Sequence, residues 1–174
     1  MKKRIIIVGK GGSGKDHMRK VLQDEGFKYC VSHTTRPPRK DEIEGLDYYF
    51  INLNQAINEY ILPDKFYEFV VFNEWIYGTS KEQFLRSNLF IMTPSGISKL
   101  KPIDREESLI VYLDIEENMR KHRISLRKDA DDVERRLNAD RLDFENFSDF
   151  DVKITDPFFR DLNYLIDQIE FTND

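Results

Sequence analysis

An unbroken β-branched run, Ile5-Ile6-Ile7-Val8, passes directly into Gly9-Lys10-Gly11-Gly12-Ser13-Gly14-Lys15-Asp16. A short β-branched run closed by glycine reads as a buried strand. The residues after it follow the phosphate-loop pattern Gly-x-x-x-x-Gly-Lys up to its last position. Glycines let the backbone fold into a nest whose N–H groups point at phosphate oxygens, and the following helix adds its N-terminal dipole. Lys15 then acts as a mobile point charge on the terminal phosphates, where a transferring phosphoryl group carries most of its charge. The pattern normally ends in a hydroxyl residue that binds Mg²⁺, whereas here the position is Asp16. A glycine-rich turn without a ligand is the plain alternative. Four close glycines and a lysine after a buried strand argue against it. Gly9, Gly11, Gly12, Ser13, Gly14, Lys15 and Asp16 are therefore the expected nucleoside triphosphate site.

Composition bounds the remainder. A chain of 174 residues is one domain of ordinary size, and 40% apolar content excludes a disordered chain. A net charge of −5 argues against a general nucleic-acid binder. Cys30 is the only cysteine and cannot form an internal disulfide, which fits a reducing compartment. Met1-Lys2-Lys3-Arg4 superficially resembles the start of a signal peptide, but the apolar run after it is too short. No run is long enough to span a bilayer. The expectation is a cytoplasmic monomer or small homo-oligomer with no nucleic-acid or membrane partner.

Strand-like and helical segments alternate, which predicts an α/β fold with a mainly parallel sheet flanked by helices. Helices are expected over about 15–24 with a stop at Gly26, over 53–60, from near Ser80, over 116–128 and 131–144, and over 158–169 after Pro157. Strands are expected at 29–32, 66–72, 75–77 after an Asn73-Glu74 turn, 89–92, 109–113 and 152–154. No repeat or linker interrupts residues 1–174, so one compact unit is expected.

A second anion site is suggested by Ser32-His33-Thr34-Thr35-Arg36-Pro37-Pro38-Arg39-Lys40, followed by Gly45-Leu46-Asp47-Tyr48-Tyr49-Phe50. Two prolines stiffen the backbone between Arg36 and Arg39, so the guanidiniums lose little freedom on binding. Arginine grips phosphate bidentately, and hydroxyls from Ser32, Thr34, Thr35 and Tyr48 can add donors. Alone, such a stretch is often a solvated loop. Beside a phosphate loop it reads as an acceptor phosphate site.

The run Val31–Arg39, with Glu42, Gly45, Asp47, Tyr48 and Phe50 at these spacings, resembles the monophosphate-binding segment of guanylate kinases. The likeness extends through Glu68, Tyr77-Gly78-Thr79, the paired basic helices and Phe150-Asp151. It implies a P-loop kinase core, a small monophosphate-binding subdomain over 33–80 and a lid over 120–136. The implied reaction is transfer of the ATP γ-phosphate to GMP or dGMP with Mg²⁺. The implied acceptor-binding residues are Ser32, Arg36, Arg39, Tyr48, Glu68, Tyr77 and Thr79, with Glu68 accepting from guanine N1–H and the exocyclic amine.

Phosphoryl transfer needs cations around the equatorial oxygens and exclusion of water. Lys15 and Arg36, with the lid arginines Arg123, Arg127 and Arg136, are the catalytic candidates. Arg120, Lys121 and Lys128 read as a solvated helix face, and His122 as a surface residue. The Gly-Arg-Gly lid signature of the family is absent. So are the aspartates it carries near the end of the third strand, where this chain reads Ile91-Met92-Thr93. Thr93 then takes a base-contacting place, and Asp16 is the expected metal ligand, supplying the hard oxygen Mg²⁺ prefers. The Gly-Lys-Asp ending also resembles ribose 1,5-bisphosphate kinases and some viral deoxynucleotide kinases. Another deoxynucleotide or a phosphosugar acceptor therefore stays open. A non-catalytic guanylate-kinase-like binding module is the third reading, opposed by the intact phosphate loop.

Overall fold

The computed structural model describes residues 2–126, 133–160 and 162–167. Along the chain come β1 (Arg4–Gly9), α1 (Lys15–Asp24), β2 (His33–Thr34) and β3 (Tyr49–Phe50). Next are α2 (Leu53–Gln55, widening into a π-helical turn over Ala56–Ile61), β4 (Phe66–Phe72), β5 (Trp75–Ser80) and α3 (Lys81–Arg86). The rest is β6 (Leu89–Ile91), α4 (Pro94–Ile97), α5 (Pro102–Glu106), β7 (Ser108–Leu113), α6 (Glu117–Ser125), α7 (Val133–Phe144), β8 (Val152–Ile154) and α8 (Asn163–Ile166). The chain divides into a first unit, Met1–Phe27 with Asn88–Asp174, and a second, Lys28–Ser87.

The first unit is built on a parallel sheet in the order β6-β1-β7-β8. Ile5, Ile6, Ile7 and Val8 are each 0% exposed, which explains why this part of β1 is an unbroken apolar run instead of alternating. Burying each such side chain is worth about 1.5–3 kcal/mol. β1 pairs with β7 from Arg4↔Ser108 to Gly9↔Leu113, and with β6 from Ile5↔Leu89 to Ile7↔Ile91. Helix α1 buries Met18, Arg19 and Leu22, and the chain leaves it through Gly26 at φ 96°. Among the described residues no helix is long and apolar enough to cross a membrane.

The second unit is a mixed sheet in the order β3-β2-β5-β4. Asn73 and Glu74 both adopt left-handed φ (49° and 69°), the geometry of a two-residue turn that suits the twist of the β4–β5 hairpin. Its core is aromatic: Tyr60 stacks on Phe66 at 4.9 Å, and the buried His33 ring lies 4.5 Å from Tyr60. Gly78 is required there, because a Cβ would come within 2.7 Å of the Phe66 ring.

Several expectations move. The strand expected at 29–32 is His33–Thr34, because its partners Gly78 and Tyr77 in β5 set where the ladder forms. The helix near Ser80 has Ser80 as its cap, with Oγ accepting the Gln83 amide. Among the described residues the closing helix is Asn163–Ile166, and residues 168 and 169 of that expectation lie outside them. Asp156 draws in the Phe158 and Arg160 amides, and Phe159 sits at φ 50°, a conformation no right-handed helix continues through. Helices α4 and α5, each with proline in its first turn, went unread. The described lid residues belong to the first unit, and the second unit runs from Lys28 to Ser87.

Candidate active site

In the first unit, β1 ends at Gly9 and the chain wraps into α1. Gly12 (φ 76°) and Gly14 (φ 100°) take left-handed conformations, and the Ser13 amide bonds back to Lys10 O at 3.1 Å. Left-handed glycines of this kind are the backbone setting from which a phosphate nest is built. Gly9 is needed because an added Cβ would lie 2.6 Å from the buried Ser13 Oγ. Lys15 folds over the loop, its Nζ donating to Gly9 O at 2.6 Å and Lys10 O at 3.3 Å. Asp16 stands in the first turn of α1 with 71% of its side chain exposed, and Arg19 Nε is 4.0 Å away. β6 lies beside β1, with the Met92 amide on Ile7 O, so Thr93 sits at the strand end neighbouring the loop. Its hydroxyl caps α4 by accepting the Gly96 amide at 3.1 Å.

The arginines of α6 approach this loop from behind. Arg123 Nη1 donates to Gly12 O (3.3 Å) and Ser13 O (3.2 Å), and Nη2 donates to Pro157 O (2.8 Å). In a trans peptide C=O and N–H point opposite ways, so this guanidinium backs the amides of Ser13 and Gly14. Its charge strengthens them as donors. Arg120 corrects its reading as a solvated charge: it is 3% exposed, with Nε on Ile115 O at 3.0 Å and Nη1 on Gly11 O at 3.4 Å. Its signal in the sequence was the four-residue spacing from Ile124, which is buried with it. Asp140 was missed altogether; its Oδ2 accepts the Gly11 amide at 2.8 Å. Lys121 pairs with Glu117 at 3.1 Å and His122 is exposed, both as expected. Arg127, Lys128 and the Arg136 side chain lie outside the described residues.

In the second unit, Arg36, Arg39, Tyr48 and Tyr77 are brought together. Arg36 Nη2 reaches both Glu42 oxygens, at 2.7 and 3.0 Å, and its guanidinium lies 5.5 Å from the Tyr48 ring. The Arg39 amide donates to Glu42 Oε2 at 2.8 Å, and Arg39 Nη1 is 3.5 Å from Oε1. Tyr48 and Tyr77 meet edge to face at 6.1 Å. Burial opposes the Arg36 charge, but Glu42, with Tyr77 and Tyr48, overcomes it and raises the pKa above its ordinary value. Glu42 is thus a positioning residue; an acid three places after Arg39 was the available signal. The Thr34 hydroxyl is taken up by the backbone, and Thr35 ties this segment to β5. Thr34 Oγ1 donates to Ile76 O and accepts the Arg36 amide, while Thr35 Oγ1 accepts the Ile76 amide.

Glu68 and Thr79 face each other across the β4–β5 ladder, 8% and 2% exposed. A register shift between Phe66 and Glu68 separates their faces, and Glu68 shares its own with buried Val70. Ser32 lies alongside, its carbonyl accepting the Tyr49 amide at 2.9 Å. Burial pushes the Cys30 thiol up to about 12, so it is chemically quiet.

A family model described as guanylate kinase matches residues 1–161. The chain belongs to the guanylate kinase family. It is 29% identical over 168 residues to a guanylate kinase of Mycoplasma genitalium, covering 88% of this chain and 69% of the relative. It is 38% identical over 81 residues to a guanylate kinase of Schizosaccharomyces pombe, covering 45% of this chain and 40% of that one. Protein lin-2 of Caenorhabditis elegans is 36% identical over 84 residues, 47% of this chain but 9% of its own length. The chain thus spans less than half the length of the latter two. The crystal structure of guanylate kinase from Anaplasma phagocytophilum shares the α/β fold, with a TM-score of 0.69 over 96% of this chain and 81% of that one, at 19% identity.

Proposed function

We propose that this chain transfers the γ-phosphoryl group of ATP to GMP or dGMP. The observation that carries the reading is the intact phosphate loop, with left-handed Gly12 and Gly14 and Lys15 folded over its mouth, in a member of this family. The loop amides and Lys15 hold the donor phosphates, while Arg36, Arg39, Tyr48 and Tyr77 hold the acceptor phosphate. Glu68 accepts from the guanine N1–H and amino group, with Ser32, Thr79 and Thr93 as further base contacts. Such a reaction asks little covalent chemistry of the protein; positioned charge and excluded water lower its barrier. Arg123, with Arg127 and Arg136, belongs to the cationic set of this proposal, and in Arg123 that charge acts through the loop peptides. Cytoplasmic location, as a monomer or small homo-oligomer, is part of the same reading.

Among the described residues no group of three or more His, Cys, Asp or Glu is placed to hold a metal ion. Mg²⁺ does not need one, since it takes one or two carboxylates beside phosphates and water. The exposed Asp16 carboxylate next to Lys15 fits that role. When bound, Mg²⁺ neutralises charge on the donor phosphates. Asp16→Ala should raise the Mg²⁺ concentration for half-maximal rate about threefold, and Asp16→Ser should partly restore it. An unchanged Mg²⁺ titration would remove Asp16 from the metal site.

The test of the function is ADP release measured across GMP, dGMP, AMP, CMP, TMP and ribose 1,5-bisphosphate. Highest kcat/KM with a guanine nucleotide is expected. A preference for a pyrimidine or the phosphosugar would replace the acceptor, and no turnover with any of them would favour a binding module.

A further inference from the structure

The phosphoryl-transfer scheme leaves Asp140, a buried acid on α7, without a part. Its Oδ2 accepts the Gly11 N–H at 2.8 Å, and the Gly11 carbonyl accepts Arg120 Nη1 at 3.4 Å. The same Nη1 lies 3.7 Å from Asp140 Oδ2, and the two side chains are only 4% and 12% exposed. Both polar groups of one loop residue are therefore held by a single ion pair, one partner from α6 and the other from α7. Arg120 is fixed in turn by Ile115 O just beyond β7, which ties the arrangement to the central sheet. Gly11 has no side chain to interfere; a Cβ there would stand 3.1 Å from Asp140 Oδ2.

We infer that Asp140, paired with Arg120, is a positioning residue for the donor nucleotide. By fixing the Gly11 peptide it sets the amides that follow it before a polyphosphate arrives. A charge-assisted hydrogen bond is suited to the task, being about twice as strong as a neutral one. Arg120 also offsets a carboxylate that would otherwise repel the incoming phosphates. Preorganisation of this kind is read in donor affinity, because the loop no longer has to be ordered on binding.

The inference rests on the donor half of the proposed function, so the experiment measures binding rather than turnover. ADP and GMP are titrated calorimetrically into wild type, Asp140→Ala and Asp140→Asn. Loss of the bond to a charged acceptor should weaken ADP about tenfold in Asp140→Ala. Asp140→Asn keeps an acceptor oxygen without the charge and should weaken ADP about threefold, with GMP affinity unchanged in both. Wild-type ADP affinity in Asp140→Asn overturns the positioning role, and this variant decides alone if Asp140→Ala does not fold. Equal weakening of ADP and GMP also overturns it, since that reports general loss of structure. A wild-type protein that binds GMP but no ADP removes the donor assignment, and this inference with it.

Discussion

The phosphate loop and the Arg36–Tyr48 segment both gather positive potential, but from different parts of the chain. In the loop, the groups offered are backbone amides, set by Gly12 and Gly14, and the charges of Arg120 and Arg123 are turned onto carbonyls behind them. In the second segment the guanidiniums themselves carry the charge, and one carboxylate, Glu42, keeps them from separating. The first arrangement offers main-chain donors, so it depends on the few side chains that hold its peptides, Asp140 and Arg120 among them. The second depends on each side chain it displays. Loss of the Lys15 charge should therefore tell mainly in rate, and loss of a guanidinium from the arginine segment mainly in affinity.

The comparison breaks most sharply at Lys15. Lys15→Ala should lower kcat by about 10²–10³, the usual cost of removing a donor that acts on transition-state charge, with an unchanged thermal melt. Equal turnover in wild type and variant would end the phosphate-loop mechanism. Arg36→Ala should act on the other side, raising KM for the acceptor about 30-fold while KM for ATP stays put, as loss of a charged hydrogen-bond pair implies. A matching rise in both Michaelis constants would blur the distinction between the two regions. Glu68→Gln should reduce the preference for GMP over AMP roughly tenfold, because an amide oxygen and NH₂ cannot satisfy two adjacent donors. Unchanged selectivity would take the base assignment away from Glu68.

The smallest effect concerns the sheet beneath the arginine segment. Burial lowers the His33 pKa from 6.5 to about 4, among the rings of Tyr49, Tyr60 and Phe66. Between those values the unfolded chain holds a proton that the native state refuses, so stability rises with pH. As pH falls from 6.5 through 4 that contribution is lost, and the melting temperature should drop by a few degrees more in wild type than in His33→Gln. Identical slopes in the two proteins would mean that His33 charges freely in the native state.

What the sequence disclosed follows the same division. The strand Ile5–Val8, the loop and α1 are specified by neighbours within a dozen residues, and all three stand where periodicity and glycine spacing place them. The hairpin at Asn73-Glu74 is equally local. β2 was misplaced because nothing between Tyr29 and Thr34 says which residues β5 will select. The π-helical turn after Gln55 and the left-handed Phe159 are backbone settings that composition does not encode. In the candidate site, the motif already named Arg36, Arg39 and Tyr48, which the structure brings together, whereas Glu42 was seen without its contacts. Asp140 could not be read, since it meets Gly11 across 129 positions of chain.

One further consequence lies in the ladders of β1. It shares six register positions with β7 but only three with β6. Local opening of a protein begins where few rungs and little burial resist it, and ends at the best-paired buried strands. Loss of β6 alone therefore leaves β1 seated on β7, and the loop that starts at Gly9 keeps its anchor. The glycine loop is thus attached to the best-paired edge of β1, and by this reasoning partly opened forms should keep its fold. Under the proposed function, a nucleotide bound there should in turn oppose the final separation of β1 from β7.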